Sequence, residues 1–241
     1  AAVTAADPSF LWPIDRPAMI TGTFGEYRGP HFHHGIDVST GGRTGYRVFA
    51  ADDGYVSSVM YQQWGIGYAV IITHGGGWST LYGHLERFDD SILNNQQVRD
   101  CTAQIVNRKD FRVDPGRSAI PVKKGAVIGY SGESGIGLEH FHFEVRGRDG
   151  EPVNPLTSGI VVDDKNPPVI TAVSLVPLDG LSRVDGSAQE KKFPVITTGK
   201  NSCAIKAKAV PLVSGTVGLA INAYDRIGIK NGVAPYGFDC Y

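Results

Sequence analysis

Glycine and proline interrupt this chain too often for long helices to form. Thirty-one glycines and fourteen prolines are spread over 241 residues with no collagen-like period. Such residues end or turn regular elements, so the chain between them favours many short strands over helices. Residues 18–24, 46–50, 54–61, 67–74, 78–85, 126–130 and 141–147 are rich in β-branched and aromatic side chains and read as strands. Val70-Ile71-Ile72-Thr73 is too apolar for an exposed edge and predicts a strand running through a core.

Two segments break this rhythm. Residues 88–121 carry many charges, Asn94-Asn95-Gln96-Gln97 and one cysteine. They read as a long excursion between strands, with a short helix over 89–98, of the kind that often walls a groove. Near 161–168, Asp163-Asp164-Lys165-Asn166-Pro167-Pro168 is charged and then stiffened by proline. This predicts a first domain over 1–160 and a second over 161–241. Strand-like stretches at 169–176, 203–209 and 217–225 suggest a small, incomplete β-sandwich for the second.

The balance of 23 basic against 24 acidic residues shows no basic excess, which argues against nucleic acid as a partner. No run is long and apolar enough to form a transmembrane segment. The sequence sets no oligomeric state. Cys101, Cys203 and Cys240 lack zinc-finger or CxxC spacing, and a Cys203–Cys240 bridge stays open. The opening AAVTAADPSF reads as a mature end after leader removal or as a cut boundary, and the first of these implies an extracytoplasmic location.

The seven histidines all lie between His31 and His142. His33 and Asp37 are four apart, and Gly35 between them disfavours a helix. On a straight strand they would lie about 13 Å apart, too far for donor atoms that must come within about 2 Å of one metal. A shared metal therefore needs a bend, which Gly35 permits; a surface turn of solvated histidines fits the same residues. In His140-Phe141-His142-Phe143-Glu144-Val145 the alternation is that of a strand with one apolar face and one face of two imidazoles and a carboxylate. A plain polar strand face is the alternative. His84, in Tyr82-Gly83-His84-Leu85, closes a strand and on its own reads as a structural residue.

Together these residues say more. His33, Asp37 and His142 would make the three-ligand, open pattern of a catalytic zinc. His84 and His140 would then be free to orient a water, take its proton and stabilise a developing oxyanion. A water bound to zinc is acidified to a pKa of about 7. His31 reads as a possible groove residue, His34 as pointing away from His33, His74 as a turn residue, Tyr82 as packing, and Glu144 as either a partner of a histidine or an exposed acid.

The HxxxD element at 33–37, the YxHL element at 82–85 and the HxH element at 140–142 resemble the three signatures of the lysostaphin/LytM-type zinc endopeptidases, peptidase family M23. Residues 122–132, VKKGAVIGYSG, are similar to a further stretch of that family, and the resemblance spans about residues 12–156. It implies an all-β fold: an antiparallel β-sandwich or barrel of lipoyl-like hybrid type, with the site in a groove floored by the sheet. It implies one Zn2+ held by His33, Asp37 and His142, a catalytic pair of His84 and His140, and peptidoglycan peptides as substrate. The tail resembles the Ig-like domain that follows the peptidase in some members. Where the family often has GPHLHFE, this chain has Leu138-Glu139-His140-Phe141-His142-Phe143-Glu144, a change at the groove rim and not in the ligands. The competing function is a non-catalytic module that binds wall peptides or a regulatory partner in the same groove.

Overall fold

Short strands form along most of the chain between the breakers, and two short helices form in the breaker-free stretch after Phe88. The computed structural model describes residues 8–29, 31–103, 110–117, 119–164, 166–199, 202–227 and 232–235. They fall into two units, one within Ala1–Asp164 and Ile227–Asn231, the other within Lys165–Arg226 and Gly232–Tyr241. Among the described residues no helix is long and apolar enough to cross a membrane.

The first unit contains β1 (Ile20–Gly22), β2 (Ile36–Ser39), β3 (Arg47–Phe49), β4 (Gly54–Gln62), β5 (Gly67–His74) and β6 (Ser79–Phe88). Helices α1 (Asp90–Leu93) and α2 (Gln96–Ala103) follow, then β7 (Phe111–Val113), β8 (Pro121–Val122), β9 (Val127–Ser131), β10 (His140–Arg146) and β11 (Pro152–Val153). The main sheet runs β1-β2-β10-β6-β5-β4-β7, with β11 on β10, β8 on β4, and β9 joining β3 to β6. Its pairings are antiparallel. The predicted all-β, antiparallel character is what the chain adopts.

β5 lies between β4 and β6, and its Ala69, Val70 and Ile72 are fully buried. The apolar face of β10 does the same work with Phe141, Phe143 and Val145, and Phe143 meets Tyr82 edge-on with ring centres 5.4 Å apart. β6 runs three residues beyond its predicted end because it changes partner. Its Ser79–Gly83 half pairs β10 and its Leu85–Phe88 half pairs β9. His84 sits at the switch with a left-handed backbone, φ 54°, the kind of irregularity that re-aims a side chain.

Gly35 matters by its missing side chain and not by a left-handed bend. A Cβ there would lie 2.1 Å from the Phe143 carbonyl oxygen, so only glycine lets the start of β2 approach β10. Gly35→Ala is expected to cost about 1–3 kcal/mol through overpacking. Thermal unfolding checks this, and an unchanged melting temperature would refute it.

His74 closes β5 and is buried, which corrects its reading as a turn residue. Its Nδ1 donates to the Asp53 carbonyl at 3.0 Å, and its Nε2 lies 2.7 Å from the Thr80 hydroxyl. That hydroxyl is 2.7 Å from the Tyr82 hydroxyl, which accepts the Ala51 N–H at 2.9 Å. A neutral imidazole satisfies the whole chain of bonds. Burial lowers the His74 pKa below its usual 6.5 despite the Asp53 carbonyl. The unfolded chain thus takes up the proton first. This contribution to stability is complete above about pH 6.5 and is lost as pH falls through the folded-state value. The melting temperature should drop on acidification below about pH 6.5, and less steeply in His74→Gln. Equal slopes for the two proteins would exclude His74 as the group responsible.

The 88–121 excursion forms two short helices in place of the one expected. Asp89 caps α1 by accepting from the Ser91 N–H, and the Asn95 side chain accepts from Val98 N–H to start α2. β7 then adds to the free side of β4.

The second unit contains β12 (Val169–Pro177), β13 (Arg183–Val184), β14 (Lys191–Gly199), β15 (Ser202–Ile205), β16 (Val213–Ser214) and β17 (Val217–Tyr224). Four of these form a sheet in the order β15-β14-β12-β17, and β13 pairs β16. The Ig-like assignment of this unit rests on the resemblance alone. Cys203 is exposed on β15, and its suggested partner Cys240 lies outside the described residues.

Candidate metal centre

Strand register assembles the site. His142 on β10 stands opposite Asp37 on β2 and opposite Gly83 on β6. One cross-strand row thus brings residues from all three sequence motifs together, with His84 one step further along β6. His33 precedes β2 and is held by its backbone, whose N–H donates to the Glu26 carbonyl at 2.8 Å.

Each of three side chains has one polar atom engaged away from the centre and one left facing it. His33 Nδ1 donates to the Thr23 carbonyl at 2.8 Å, which leaves the Nε2 lone pair free. His142 Nε2 lies 3.1 Å from Glu144 Oε1, and the Glu144 carboxylate is gripped by Arg146 at 2.9 and 2.6 Å. That leaves His142 Nδ1. Asp37 Oδ2 accepts Arg28 Nη2 at 2.6 Å, which leaves Oδ1. The three remaining atoms are 2.9–3.1 Å from one another. Donors around a tetrahedral zinc at about 2.0–2.2 Å lie about 3.3 Å apart. All three residues are buried, at 3–5% exposure. Three converging donor atoms fit a cation, and the N, N, O donor set fits zinc.

The electrostatics follow. Burial opposes the charge on Asp37, but hydrogen bonds and charge from His142 and His33 hold its carboxyl well below the usual range. Burial likewise opposes a proton on His142, yet Asp37 and Glu144 together raise it to about 9. Glu144, against its burial, is brought to about 2 by His142 and Arg146. A proton and a metal compete for the same His142 lone pair.

His84 and His140 flank this set. His84 Nδ1 donates to the Ser134 carbonyl at 2.8 Å and His140 Nδ1 to the Leu138 carbonyl at 2.6 Å. These contacts turn each Nε2 away from its carbonyl partner, and the two ring centres are 4.3 Å apart. His140 Nε2 is 3.6 Å from Asp37 Oδ1, outside the donor set. Burial, then the charge of His140, lowers His84 to about 4, so it is neutral. The arrangement offers two proton acceptors beside a cation site.

The groove above encloses about 790 Å³. His31 and His34 are exposed on its His33 side, while Trp64, Ile136 and Leu138 are exposed along the side of His84 and His140. Tyr82 is fully buried in the core. Among the described residues, none from 88–121 lines the groove. Sequence reasoning missed Arg28, Arg146, and the Thr23 and Ser134 carbonyls. Only Arg146 carried a signal, as it shares the strand face of Glu144.

The sequence profile described as peptidase family M23 matches residues 31–103. The chain carries an M23 peptidase domain. Part of it is 31% identical over 153 residues to an uncharacterized metalloprotease of Haemophilus influenzae, covering 61% of this chain and 26% of that one. It is also 31% identical over 126 residues to the DD-carboxypeptidase/endopeptidase Mpg of Neisseria meningitidis, covering 52% and 22%. The chain thus spans about a quarter of the length of these curated relatives. A solved zinc-containing peptidase from Vibrio cholerae is 25% identical, with coverage of 61% and 39% and a TM-score of 0.44. Within the M23 domain the matched segment holds His33, Asp37 and His84. His140 and His142 lie beyond it and join them through the pairing of β10 with β2 and β6.

Proposed function

We propose that this M23 domain is a zinc-dependent endopeptidase acting on peptide bonds of bacterial peptidoglycan, in an extracytoplasmic location. The observation that carries this reading is the trio of free donor atoms on His33, Asp37 and His142, beside two imidazoles with open Nε2 atoms. The likeness to the Neisseria DD-carboxypeptidase/endopeptidase supports the substrate class.

A zinc ion in such a site polarises a carbonyl and acidifies water to near neutrality. The chain's own residues supply the rest. Thr23, Glu144, Arg146 and Arg28 fix the orientation and protonation of the three holding side chains, as outer partners of a metal site do. Ser134 and Leu138 aim the Nε2 atoms of His84 and His140 inward, where they take a proton and later return it to the leaving amine. The exposed Trp64, Ile136 and Leu138 side chains offer the substrate an apolar surface along one side of the groove.

The test is incubation of the zinc-loaded protein with purified sacculi, followed by mass spectrometry of the released fragments. New peptide termini that vanish with chelator and return with zinc are expected. Release of glycan ends alone, or none with stoichiometric zinc bound, would overturn the proposal.

A further inference from the structure

We propose that Arg28 is a specificity residue that receives a peptide carboxylate beside the scissile bond; this rests on the peptidase reading above. Its guanidinium lines the groove on the Asp37 side with 35% of the side chain exposed. No other lysine or arginine lines the groove among the described residues. Both of its hydrogen bonds leave from one nitrogen, Nη2, to Asp37 Oδ2 at 2.6 Å and to Glu26 Oε2 at 3.3 Å. Nε and Nη1 donate to no group among the described residues, and neither is a buried, unsatisfied atom. Nη2 is the anchored corner, and the N–H groups of Nε and Nη1 remain as single donors beside a full positive charge, which suits a charge-assisted bond from one of them to a carboxylate oxygen.

The seat is built for it. A Cβ at residue 22 would lie 2.3 Å from Arg28 Nη2 and 2.6 Å from Asp37 Oδ2, so Gly22 makes room for the pair. Asp37 links Arg28 to the donor set through its other oxygen. A carboxylate on one of the free N–H groups therefore lies near the donor set, with Asp37 between them. The groove is otherwise lined by the apolar Trp64, Ile136 and Leu138, by the acidic Glu139 and by imidazoles, so Arg28 is its one arginine or lysine among the described residues. The contrast orients a peptide with its anionic end toward Arg28. A terminal carboxylate and a side-chain carboxylate are chemically equivalent here.

Three peptides separate these sources. One is an acylated D-alanyl-D-alanine with a free terminal carboxylate, the second is its terminal amide, and the third is an amide extended by one residue whose side chain carries the only carboxylate. Under saturating zinc, wild-type kcat/KM should favour a carboxylate over the plain amide by about tenfold. Arg28→Gln should bring that ratio to about one, and Arg28→Lys should restore part of it. Loss of the Asp37 contact alone would slow all three peptides alike, so the ratio reports substrate contact and not positioning. Titration calorimetry with reduced-bond, uncleavable versions reads the same ratio without turnover. Preference for the first peptide assigns a terminal carboxylate, and preference for the third assigns a side chain. A ratio unchanged in Arg28→Gln overturns the Arg28 assignment while cleavage upholds the peptidase. Acid-selective binding that Arg28→Gln abolishes, with no cleavage by wild type, overturns the peptidase reading and leaves Arg28 a carboxylate site.

Discussion

His142→Ala is expected to lose stoichiometric zinc and all measurable hydrolysis together, while the sheet stays folded. The ring supplies one of three converging donor atoms, and its removal leaves only His33 Nε2 and Asp37 Oδ1, 3.1 Å apart. Two donors at an otherwise solvated position hold zinc far more weakly than three. The fold survives because the neighbouring charges keep partners: Glu144 retains Arg146, and Asp37 retains Arg28. A cavity cost of about 1–3 kcal/mol remains. Metal analysis, circular dichroism and a peptide-release assay on one preparation check the three parts. Sustained hydrolysis by the zinc-free variant would remove His142 from the metal site.

His140→Ala should separate what His142→Ala loses together. His140 Nε2 stands 3.6 Å from Asp37 Oδ1, and the ring packs on His84 with 4.3 Å between ring centres. In the proposed reaction it exchanges a proton and does not bind the ion. Zinc content should stay stoichiometric while kcat falls by about 10²–10⁴, the usual worth of a positioned acid–base group. Turnover equal to wild type would exclude His140 from the reaction, and loss of zinc would move it into the metal shell.

Much of the sheet was legible because its signals are local. Residues 67–74 read as a strand and form β5, and the alternation from His140 to Val145 set the faces of β10 before any register was known. β2 was missed because four residues, Ile36–Ser39, give too short an alternation to stand out beside the bend expected at Gly35. β14 was hidden by two lysines and by Pro194 within it. The site was legible as residue types and unreadable as geometry. Nothing local tells that Thr23 and Ser134 would lend carbonyls to His33 and His84, since any residue carries that group. The left-handed backbone at His84 follows from the change of partner along β6, a fact of tertiary pairing.

The cross-strand row through His142 also fixes an order of assembly. His142 meets Asp37 across 105 residues of chain and His33 across 109. A growing chain that has made β1 and β2 holds only two of the three donor atoms, and no local turn supplies the third. Contacts of such separation form only after a long loop has closed. At the proposed zinc site, tight capture therefore waits until β10 has docked between β2 and β6, so that ion uptake would serve as a clock for completion of the sheet.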